Sequence, residues 1–531
     1  MTETAQVTRV ASLSELKKRG RLVVKPNGKQ IVLFNGKSGI HACNNRCPHE
    51  GYPLSEGDLS GGCVLTCNWH NWKFDLESGE TLVGGDKLRQ YPVTLKGDDI
   101  LLDLCDPPPE QAIAQAMKNL RDSFVHHERR QEYDRMAREI ARLEKAGADP
   151  LDALRAAIGW TYESFEFGTT HALAAAPDWL RLRDSAPQGS TASLVPLLET
   201  VGHLAWDSLR EDHYPYPTGT ADYDPDKLVD AVENEDEAAA IAILRGGLKD
   251  GLDFACFEEP LSRAALDHYA DFGHSLIYTL KAGQLIDALG PEVQEPILLA
   301  LVRSLIYGTR EDLIPEFRHY AKALSAWDGG GQEPVGPDDF AGLNVNRALD
   351  RVVASSGRPE DVFDALLGIL ARGMLHFDLD VDSHTNRSVA HNVSWLDFTH
   401  GLTFANAVQS QCAKFPGLWP QGLLQMACFA GRNSAYVDRD YDAAQWRVTD
   451  TKAFLKQQRR ALFDHAQPEY IVSAHLVKIL TAVSEDVTAR PDAPWAEDMV
   501  AAVNRFLHSS LKRKHTLRAA RQALTFVAKE G

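Results

Sequence analysis

The stretch that decides the fold of the N-terminal region is CPHEGYPLSEGDLSGGCVLTCNWHNW, residues 47–72. It places one cysteine and one histidine in each of two short motifs, C-x-H and C-x-x-H, separated by seventeen residues. The candidate ligands are Cys47, His49, Cys67 and His70. Thiolate sulfur and imidazole nitrogen bind zinc and also bind iron–sulfur clusters. The residue types alone therefore indicate a metal centre of either kind.

The spacing and the neighbouring residues favour one of the two. Zinc sites usually pair like residues, whereas each motif here combines one cysteine with one histidine. In a Rieske [2Fe–2S] cluster two cysteines bind one iron and two histidines bind the other. The stretch resembles Rieske domains in its ligands, in Gly51, Pro53 and Trp69, and in the run NWKFDLESGE that follows. The resemblance implies a [2Fe–2S] cluster bound by the four candidate ligands.

The resemblance also indicates a subtype. Rieske domains of respiratory and photosynthetic complexes carry an additional cysteine in each ligand loop, and these two form a disulfide. Here Glu50 follows His49 and Trp69 precedes His70, so that disulfide cannot form, and the domain resembles the soluble ferredoxin or oxygenase kind. We predict that Cys43 and Cys63 are thiols buried among strands, because free cysteine is often buried.

The flanking sequence predicts a small antiparallel sheet. RLVVKPNGKQIVLF, residues 21–34, reads as two strands joined at Asn27–Gly28, and VTLKGDDILLDL, residues 93–104, repeats the plan. The predicted Rieske domain covers residues 1–105. Three prolines, Pro107 to Pro109, then predict a stiff linker over residues 106–115.

The remainder of the chain, residues 116–531, is predicted to be one large all-helical domain. RDSFVHHERRQEYDRMAREIARLEKAG, residues 121–147, reads as a charged helix, and Ile297, Leu301 and Leu305 form an apolar helical stripe. Strand-like alternation is scarce here. The predicted fold class is therefore multidomain, a small all-β Rieske domain followed by a large all-α domain.

Composition predicts a soluble cytoplasmic protein. The N-terminal residues contain no apolar core of signal-peptide length, and no run of eighteen apolar residues predicts a membrane span. Eight cysteines in 531 residues do not make a disulfide framework. A formal net charge of −18 argues against a nucleic-acid partner.

A Rieske cluster carries single electrons, so the helical domain should contain an acceptor. Common Rieske oxygenases hold a mononuclear iron in a sheet-containing domain, with D-x-x-H followed by another histidine. Asp271 with His274 and Asp397 with His400 give D-x-x-H, but no further histidine follows closely and the pattern is helical. The common oxygenase domain is therefore not expected.

Four histidines lie near predicted helix starts with small or apolar neighbours, in ETVGHLAWDSL, DFGHSLIYTLKAGQLI, DFTHGLTFANAV and SAHLVKILTA. These phrases resemble, in the same order, short histidine segments of the questin oxidase-like family. Its members are helical proteins implicated in oxidative ring cleavage of aromatic polyketides. The resemblance covers roughly residues 195–485 and implies metal ligands at His203, His274, His400, His475 and Lys478. Imidazoles from several helices of a bundle are a familiar way to hold a redox metal.

Two lysines add to this prediction. A buried neutral Lys478 can add carbon dioxide and become a carbamate ligand, which the resemblance implies; a lysine reaching the surface is the alternative. Where the family has a second histidine, seven residues after His274, this chain has Lys281. We predict a catalytic role for Lys281, as a substrate-binding cation or a modified ligand, and for Tyr278. His384 and His391 are candidate substitutes for the missing histidine ligand. Trp206 and Trp395 are candidates for the lining of an aromatic substrate pocket.

The function predicted from the sequence is a Rieske-containing oxidoreductase. Its cluster would pass electrons to a non-haem iron for O2-dependent oxidation or ring cleavage of a small organic substrate, of aromatic polyketide type. Because no G-x-G-x-x-G pattern occurs, a separate NAD(P)H-dependent or ferredoxin reductase is expected as partner. One alternative is a non-enzymatic electron carrier whose helical domain binds a partner. Another is a ferritin-like di-iron oxygenase, for which Glu316 and His319 supply one E-x-x-H pair.

Overall fold

The computed structural model describes residues 7–124, 133–184, 186–187, 189–209, 211–267, 271–388, 391–510 and 515–530. The chain divides into two compact units, Met1–Pro150 and Leu151–Gly531. The predicted boundary lay at the proline-rich connector, whereas the helices that follow the connector belong to the first unit. Pro109 begins a helix instead of extending a linker.

The first unit contains three antiparallel sheets, ordered β1-β10-β9, β2-β3-β4 and β5-β6-β7-β8. The strands are β1 Val7–Ser12, β2 Arg21–Val24, β3 Ile31–Gly36, β4 Gly39–Asn44, β5 Asp58–Ser60, β6 Val64–Thr66, β7 Lys73–Asp75, β8 Thr81–Val83, β9 Val93–Lys96 and β10 Asp99–Asp103. The helices of this unit are α1 Leu13–Arg19, α2 Pro109–Phe124 and α3 Tyr133–Lys145.

Both predicted hairpins are present. Strands β2 and β3 pair with Val24 opposite Ile31, and the turn between them uses Asn27 and Gly28 at φ of 50° and 77°. Both residues tolerate this left-handed conformation, which allows the chain to reverse. The turn between β9 and β10 likewise contains a residue of positive φ, Gly97 at 61°. The apolar residues of these strands contribute to two small cores, one of which includes Cys47 and Cys67.

Helix α3 packs against the sheet region through one long side chain. The guanidinium of Arg135 binds the carboxylate of Asp86, and both side chains are buried. The same guanidinium lies 5.7 Å from the centre of the Trp72 ring. Gly84 and Gly85 leave room for this arrangement, because a Cβ on the first would overlap Trp72 and a Cβ on the second would overlap Arg135.

The second unit is helical in its described residues. Its helices are α4 Asp152–Thr161, α5 His171–Asp184, α6 Thr191–Ser208, α7 Pro225–Glu233, α8 Glu237–Lys249, α9 Phe254–Leu266, α10 His274–Leu289, α11 Gln294–Ile306, α12 His319–Ala326, α13 Val345–Ala354, α14 Pro359–Leu375, α15 Leu379–Ser383, α16 Trp395–Lys414, α17 Trp419–Asn433, α18 Thr451–Ala461, α19 Tyr470–Ala489, α20 Ala496–Leu507 and α21 Thr516–Val527.

The centre of this unit is a bundle of four helices that are buried on most of their circumference. Helix α5 packs on α10 and α19, and α16 also packs on α10 and α19. A helix that is apolar almost all round belongs in a protein core. The long helix predicted over residues 121–147 is partly confirmed by the end of α2 and by the whole of α3, and residues 125–132 lie outside the described residues. The predicted fold class is confirmed.

None of the described helices combines the length and apolarity needed to cross a bilayer.

Candidate functional site

The first candidate site lies where two loops of the first unit meet. One loop follows β4 and carries Cys47 and His49; the other follows β6 and carries Cys67 and His70. Each loop is a tight turn closed in the same way. The Cys47 amide donates to the carbonyl of Tyr52 at 2.9 Å, and the Cys67 amide donates to the carbonyl of Trp72 at 2.8 Å.

The two cysteine side chains and the two histidine side chains differ in their exposure to solvent. Cys47 and Cys67 are only 3% and 1% exposed, whereas His49 and His70 reach the surface, with their Nδ1 atoms 3.1 Å apart. Burial, with the neighbouring Cys67 thiol, raises the pKa of the Cys47 thiol to about 12 in the absence of metal. Two buried sulfurs and two paired outer nitrogens fit one iron on the inside and one on the outside.

Aromatic rings hold the histidine side of this site. The Trp72 ring stacks on His49 with centroids 4.6 Å apart and planes 14° apart, and Trp69 lies against His70. Trp69 is 61% exposed, so this edge of the domain is open to other molecules. Of the two further cysteines, Cys43 is buried as predicted. The prediction for Cys63 is wrong, because its thiol is half-exposed and donates to Glu77.

The second candidate site lies at the centre of the helical unit. Four histidines meet there, one from each helix of the central bundle: His171 from α5, His274 from α10, His400 from α16 and His475 from α19. Potential ligand atoms of His171, His400 and His475 all lie within 4.8 Å of one another. The rings of His274 and His400 are 4.4 Å apart, and those of His171 and His274 are 5.1 Å apart.

Backbone carbonyls set which nitrogen of two rings faces the centre. Nδ1 of His274 donates to the carbonyl of Asp271 at 2.6 Å, and Nδ1 of His475 donates to the carbonyl of Ile471 at 2.6 Å. The lone pair is therefore on Nε2 in both neutral rings, which is how metal-binding histidines are usually oriented. Nε2 of His475 lies 3.0 Å from Nε2 of His400.

Several polar atoms of this site are buried without a hydrogen-bond partner among the described residues. They are Nε2 of His171, Nε2 of His274 and Nζ of Lys478. Buried polar atoms are nearly always paired, so three orphans beside one another indicate a missing partner. An electron-pair acceptor such as a metal ion would satisfy them.

The electrostatics favour neutral donors. Burial, with Lys478 next in importance, lowers the pKa of His274 to about 4, and burial lowers the pKa of His171, His400 and His475 well below the usual value. Burial also lowers the pKa of Lys478 to about 7. Near neutral pH the site therefore offers uncharged imidazoles and an amine that is partly uncharged.

Helix α10 begins in a constrained conformation that orients His274. Asp271, Phe272 and Gly273 all have positive φ, at 49°, 48° and 77°. The amide of Phe272 donates to both carboxyl oxygens of buried Glu311, at 3.1 and 3.0 Å. Burial raises the pKa of Glu311 to about 8. Strained backbone of this kind persists where the surroundings enforce it, and it clusters at functional sites.

The structure places two predicted residues differently from the histidine group. His203 stacks on Tyr470 with ring centres 5.2 Å apart, and its Nε2 lies 3.4 Å from a carboxyl oxygen of Asp207. Lys281 is buried and its Nζ donates to Asp178 at 2.6 Å. Neither residue takes part in the contacts given above among the four central histidines. The charge of Lys478 nevertheless contributes to the lowered pKa of His203.

Tyr278 does lie beside the group. Its hydroxyl is 3.4 Å from Nδ1 of His171, and its ring centre is 5.3 Å from that of His274. His171 is the member that the sequence analysis missed. Its phrase, THALAAAPDWL, shares the signature of the others, a histidine at the start of a buried helix with small neighbours.

The remaining candidates lie elsewhere. Trp395 is a core residue packed on Phe377, and Trp206 is 54% exposed. His384 and His391 are surface residues. The E-x-x-H pair is also divided: Glu316 pairs with Arg432, and His319 pairs with Asp350 at 2.6 Å. These positions do not support an aromatic pocket built around Trp395 or a ligand role for the two surface histidines.

Comparison with known proteins bears on the first site. The model of the Rieske [2Fe-2S] domain family matches residues 6–92. The chain is 38% identical over 92 residues to 4beta-methylsterol monooxygenase of Methylococcus capsulatus, which covers 15% of this chain and 25% of that protein. It is 37% identical over 81 residues to the ferredoxin subunit of 3-phenylpropionate/cinnamic acid dioxygenase of Escherichia coli K12, which covers 15% of this chain and 76% of that subunit.

Similar solved structures include two carbazole 1,9a-dioxygenase components of Nocardioides aromaticivorans IC177. The terminal oxygenase is 23% identical with a TM-score of 0.18, over 19% of this chain and 31% of that one. The ferredoxin is 25% identical with a TM-score of 0.17, over 18% of this chain and 95% of that one. The chain thus spans a minor part of each oxygenase named here. By its matched residues, its ligand loops and its similarity to a ferredoxin subunit, the chain belongs to the Rieske [2Fe–2S] family.

Proposed function

We propose that this protein is a Rieske-dependent oxygenase in which the [2Fe–2S] cluster supplies electrons to a non-haem iron in the helical unit. The observation that carries the proposal is the meeting of four imidazoles from four different helices, of which His400 and His475 are buried and the other two are partly buried. A structural role for so many histidines would normally leave each ring nitrogen with a hydrogen-bond partner. Here two Nε2 atoms have none among the described residues.

The donor set suits iron. Imidazole binds ferrous iron well, and bundle cores are common places for redox metals. We propose His171, His274, His400 and His475 as the ligands, with His171 in place of the His203 expected from the sequence. The Nδ1 hydrogen bonds of His274 and His475 leave the lone pair of each neutral ring on Nε2, the atom that would bind the metal.

Lys478 is the proposed fifth ligand, after modification. Its amine is buried beside the histidines and has no hydrogen-bond partner among the described residues. The lone pair of the neutral amine can attack carbon dioxide, forming an N–C bond and releasing one proton to solvent. The resulting carbamate has carboxylate-like oxygens that bind iron, and its negative charge would complement the metal. The questin oxidase-like resemblance of the sequence supports this assignment.

The iron would supply the one-electron chemistry by which dioxygen reacts with an organic substrate. The residues around it would exclude water and hold the substrate. The hydroxyl of Tyr278 lies beside His171, where it can donate a hydrogen bond to a substrate oxygen. Burial keeps the pKa of that phenol well above its ordinary value, so the proton stays in place. We therefore assign Tyr278 an orienting role, and an aromatic polyketide-like substrate follows from the resemblance alone.

Electrons would come from a separate NAD(P)H-dependent or ferredoxin reductase. The similarity to a ferredoxin subunit of a dioxygenase supports a partner of this kind. It also favours a second candidate function, an electron carrier whose helical unit binds a protein and holds no iron. The divided positions of Glu316 and His319 give the di-iron alternative no support.

Metal analysis separates the first two functions. We would purify the chain anaerobically, measure iron and acid-labile sulfide, and follow the Rieske cluster by its electron paramagnetic resonance. The oxygenase predicts more than two irons with two sulfides per chain. His274→Ala and His475→Ala should lose only the additional iron. His384→Ala, a surface control, should keep it. Two irons with two sulfides, unchanged by iron reconstitution, would establish the electron carrier instead.

A further inference from the structure

A cavity with many cationic side chains adjoins the cysteine side of the Rieske ligand loops. It has a volume of about 360 Å³ and lies wholly within the first unit. Its wall includes Cys47 and five other residues of segment 44–51, together with residues 87–89 and part of α3. The cations that line it are Arg46, Lys87, Arg89, Arg138 and Arg142. Glu50 is the one acidic residue of that lining.

Two of the five cations have no counter-ion in the part of the chain that the structure describes. Nε and Nη2 of Arg138 are buried without a hydrogen-bond partner among the described residues, and Arg46 makes no ion pair with any of them. A guanidinium carries five N–H donors in a planar fork, so leaving one buried and unpaired is costly. The donors of Arg138 that lack a partner among the described residues therefore favour an acceptor in the cavity that this side chain lines.

The other three cations are only partly neutralised. Lys87 pairs with Glu80 and Arg89 with Asp106, both at 2.5 Å and both at the surface. Arg142 pairs with Glu139, but burial raises the pKa of that carboxyl to about 7, so the pair is not fully charged near neutral pH. Such a concentration of positive charge stands out in a chain of net charge −18. The overall charge of the chain disfavours anions, whereas the cations of this cavity favour them locally.

We propose that this cavity is a binding site for a small polyvalent oxyanion, such as a phosphate ester or a polycarboxylate. Arginine forks match the geometry of both phosphate and carboxylate oxygens, and several forks around one cavity favour more than one negative charge. The volume lies within the range of small-ligand pockets. This site is distinct from the proposed iron site and does not depend on it.

The position of the cavity gives the anion a consequence for electron transfer. Reduction adds one negative charge to the cluster as a whole, which the loop at the wall of the cavity would help to hold, and a bound anion repels that charge. The bound anion should therefore favour the oxidised cluster and lower its reduction potential. Charge, hydrogen bonding and exposure are the known levers on the potential of such clusters. The site would couple the concentration of a cellular anion to the supply of electrons.

Calorimetric titration of the holoprotein tests the site, with inorganic pyrophosphate as the probe at constant ionic strength. We expect saturable binding, an increase in thermal stability on binding, and a lower cluster potential at saturation. Arg46→Gln/Arg138→Gln should weaken binding at least tenfold and remove the shift in potential. These two side chains were chosen because no ion pair among the described residues depends on them.

Arg19→Gln is the matched control, since Arg19 is an exposed cation of the same unit that lies outside the cavity. It should bind pyrophosphate as the wild type does. The absence of saturable binding to the wild type, or equal affinity in the double variant, would overturn the proposal. If pyrophosphate does not bind and the double variant slows only reduction by a protein partner, the cavity is a protein-docking surface and the proposal is wrong.

Discussion

Gly84 is the residue on which the surroundings of the cluster depend most directly. Its φ of 122° is one that other residues rarely adopt, and the Trp72 ring lies where a side chain would begin. Trp72 in turn stacks on His49, one of the proposed cluster ligands. The absence of a single Cβ therefore allows an aromatic ring to support a histidine.

We predict that Gly84→Ala destabilises the first unit by about 2–4 kcal/mol, because the Cβ overlaps Trp72 and the backbone is strained. It should also alter the electron paramagnetic resonance of the cluster by displacing His49. Denaturant unfolding followed by cluster absorbance measures the first effect. Gly97→Ala is the control, since it shares the positive φ but meets no atom within 4 Å. An equal change in both variants would mean that backbone strain, not the ring contact, is responsible.

At the scale of elements, the start of α10 shows how a helix end can orient a histidine, here a proposed iron ligand. Three successive residues with positive φ precede His274, and Glu311 holds the middle one by its amide. A loop without this acceptor would relax towards ordinary conformations. The carboxyl of Glu311 is therefore a positioning group for His274, and it acts through Phe272.

We predict that Glu311→Ala lowers iron occupancy of the helical unit severalfold and destabilises it by about 1–3 kcal/mol, since a buried amide loses its acceptor. Glu311→Gln should retain most of both. The pKa of about 8 means that the native carboxyl is largely protonated at neutral pH, so the amide is a close mimic. Iron content and hydrogen exchange at Phe272 are the measurements. A Gln variant as defective as the Ala variant would show that a negative charge is required.

The elements also show what could be predicted from sequence. The Rieske domain and both hairpins were predictable because each depends on residues close together in the chain. The meeting of His171 with His475 was not, because it depends on the packing of α5 against α19, which no local pattern encodes. The pairing of Lys281 with Asp178 has the same origin: a lysine that reads as a free cation is neutralised by a helix about a hundred residues earlier.

At the scale of the whole molecule, each unit contains a buried carboxyl with a raised pKa. Burial raises the pKa of Glu139, in α3, to about 7 and that of Asp486, in α19, to about 6. A folded state that holds its proton more tightly than the unfolded state is favoured at low pH. These groups therefore contribute stability below about pH 4, which is lost as the pH rises through their folded values.

We predict that Glu139→Gln gains about 1–3 kcal/mol relative to wild type between pH 5 and pH 8, in the first unit only. Asp486→Asn should behave similarly in the helical unit, with its change centred nearer pH 6. Cluster absorbance reports the unfolding of the first unit and circular dichroism that of the helices. Glu110→Gln, an exposed residue of α2, should show no such trend. A pH-independent difference between Glu139→Gln and wild type would contradict the assignment.

The ion pair that Arg135 of α3 makes with Asp86 has a consequence for the design of chimeric proteins that contain this domain. The family match ends at residue 92, yet the ring that supports His49 rests on a guanidinium from residue 135. A graft cut at the family boundary would remove the guanidinium partner of Asp86 and the cation that lies against the Trp72 ring. The transferable module is therefore longer than its family signature. Any chimera must carry α3 along with its sheets.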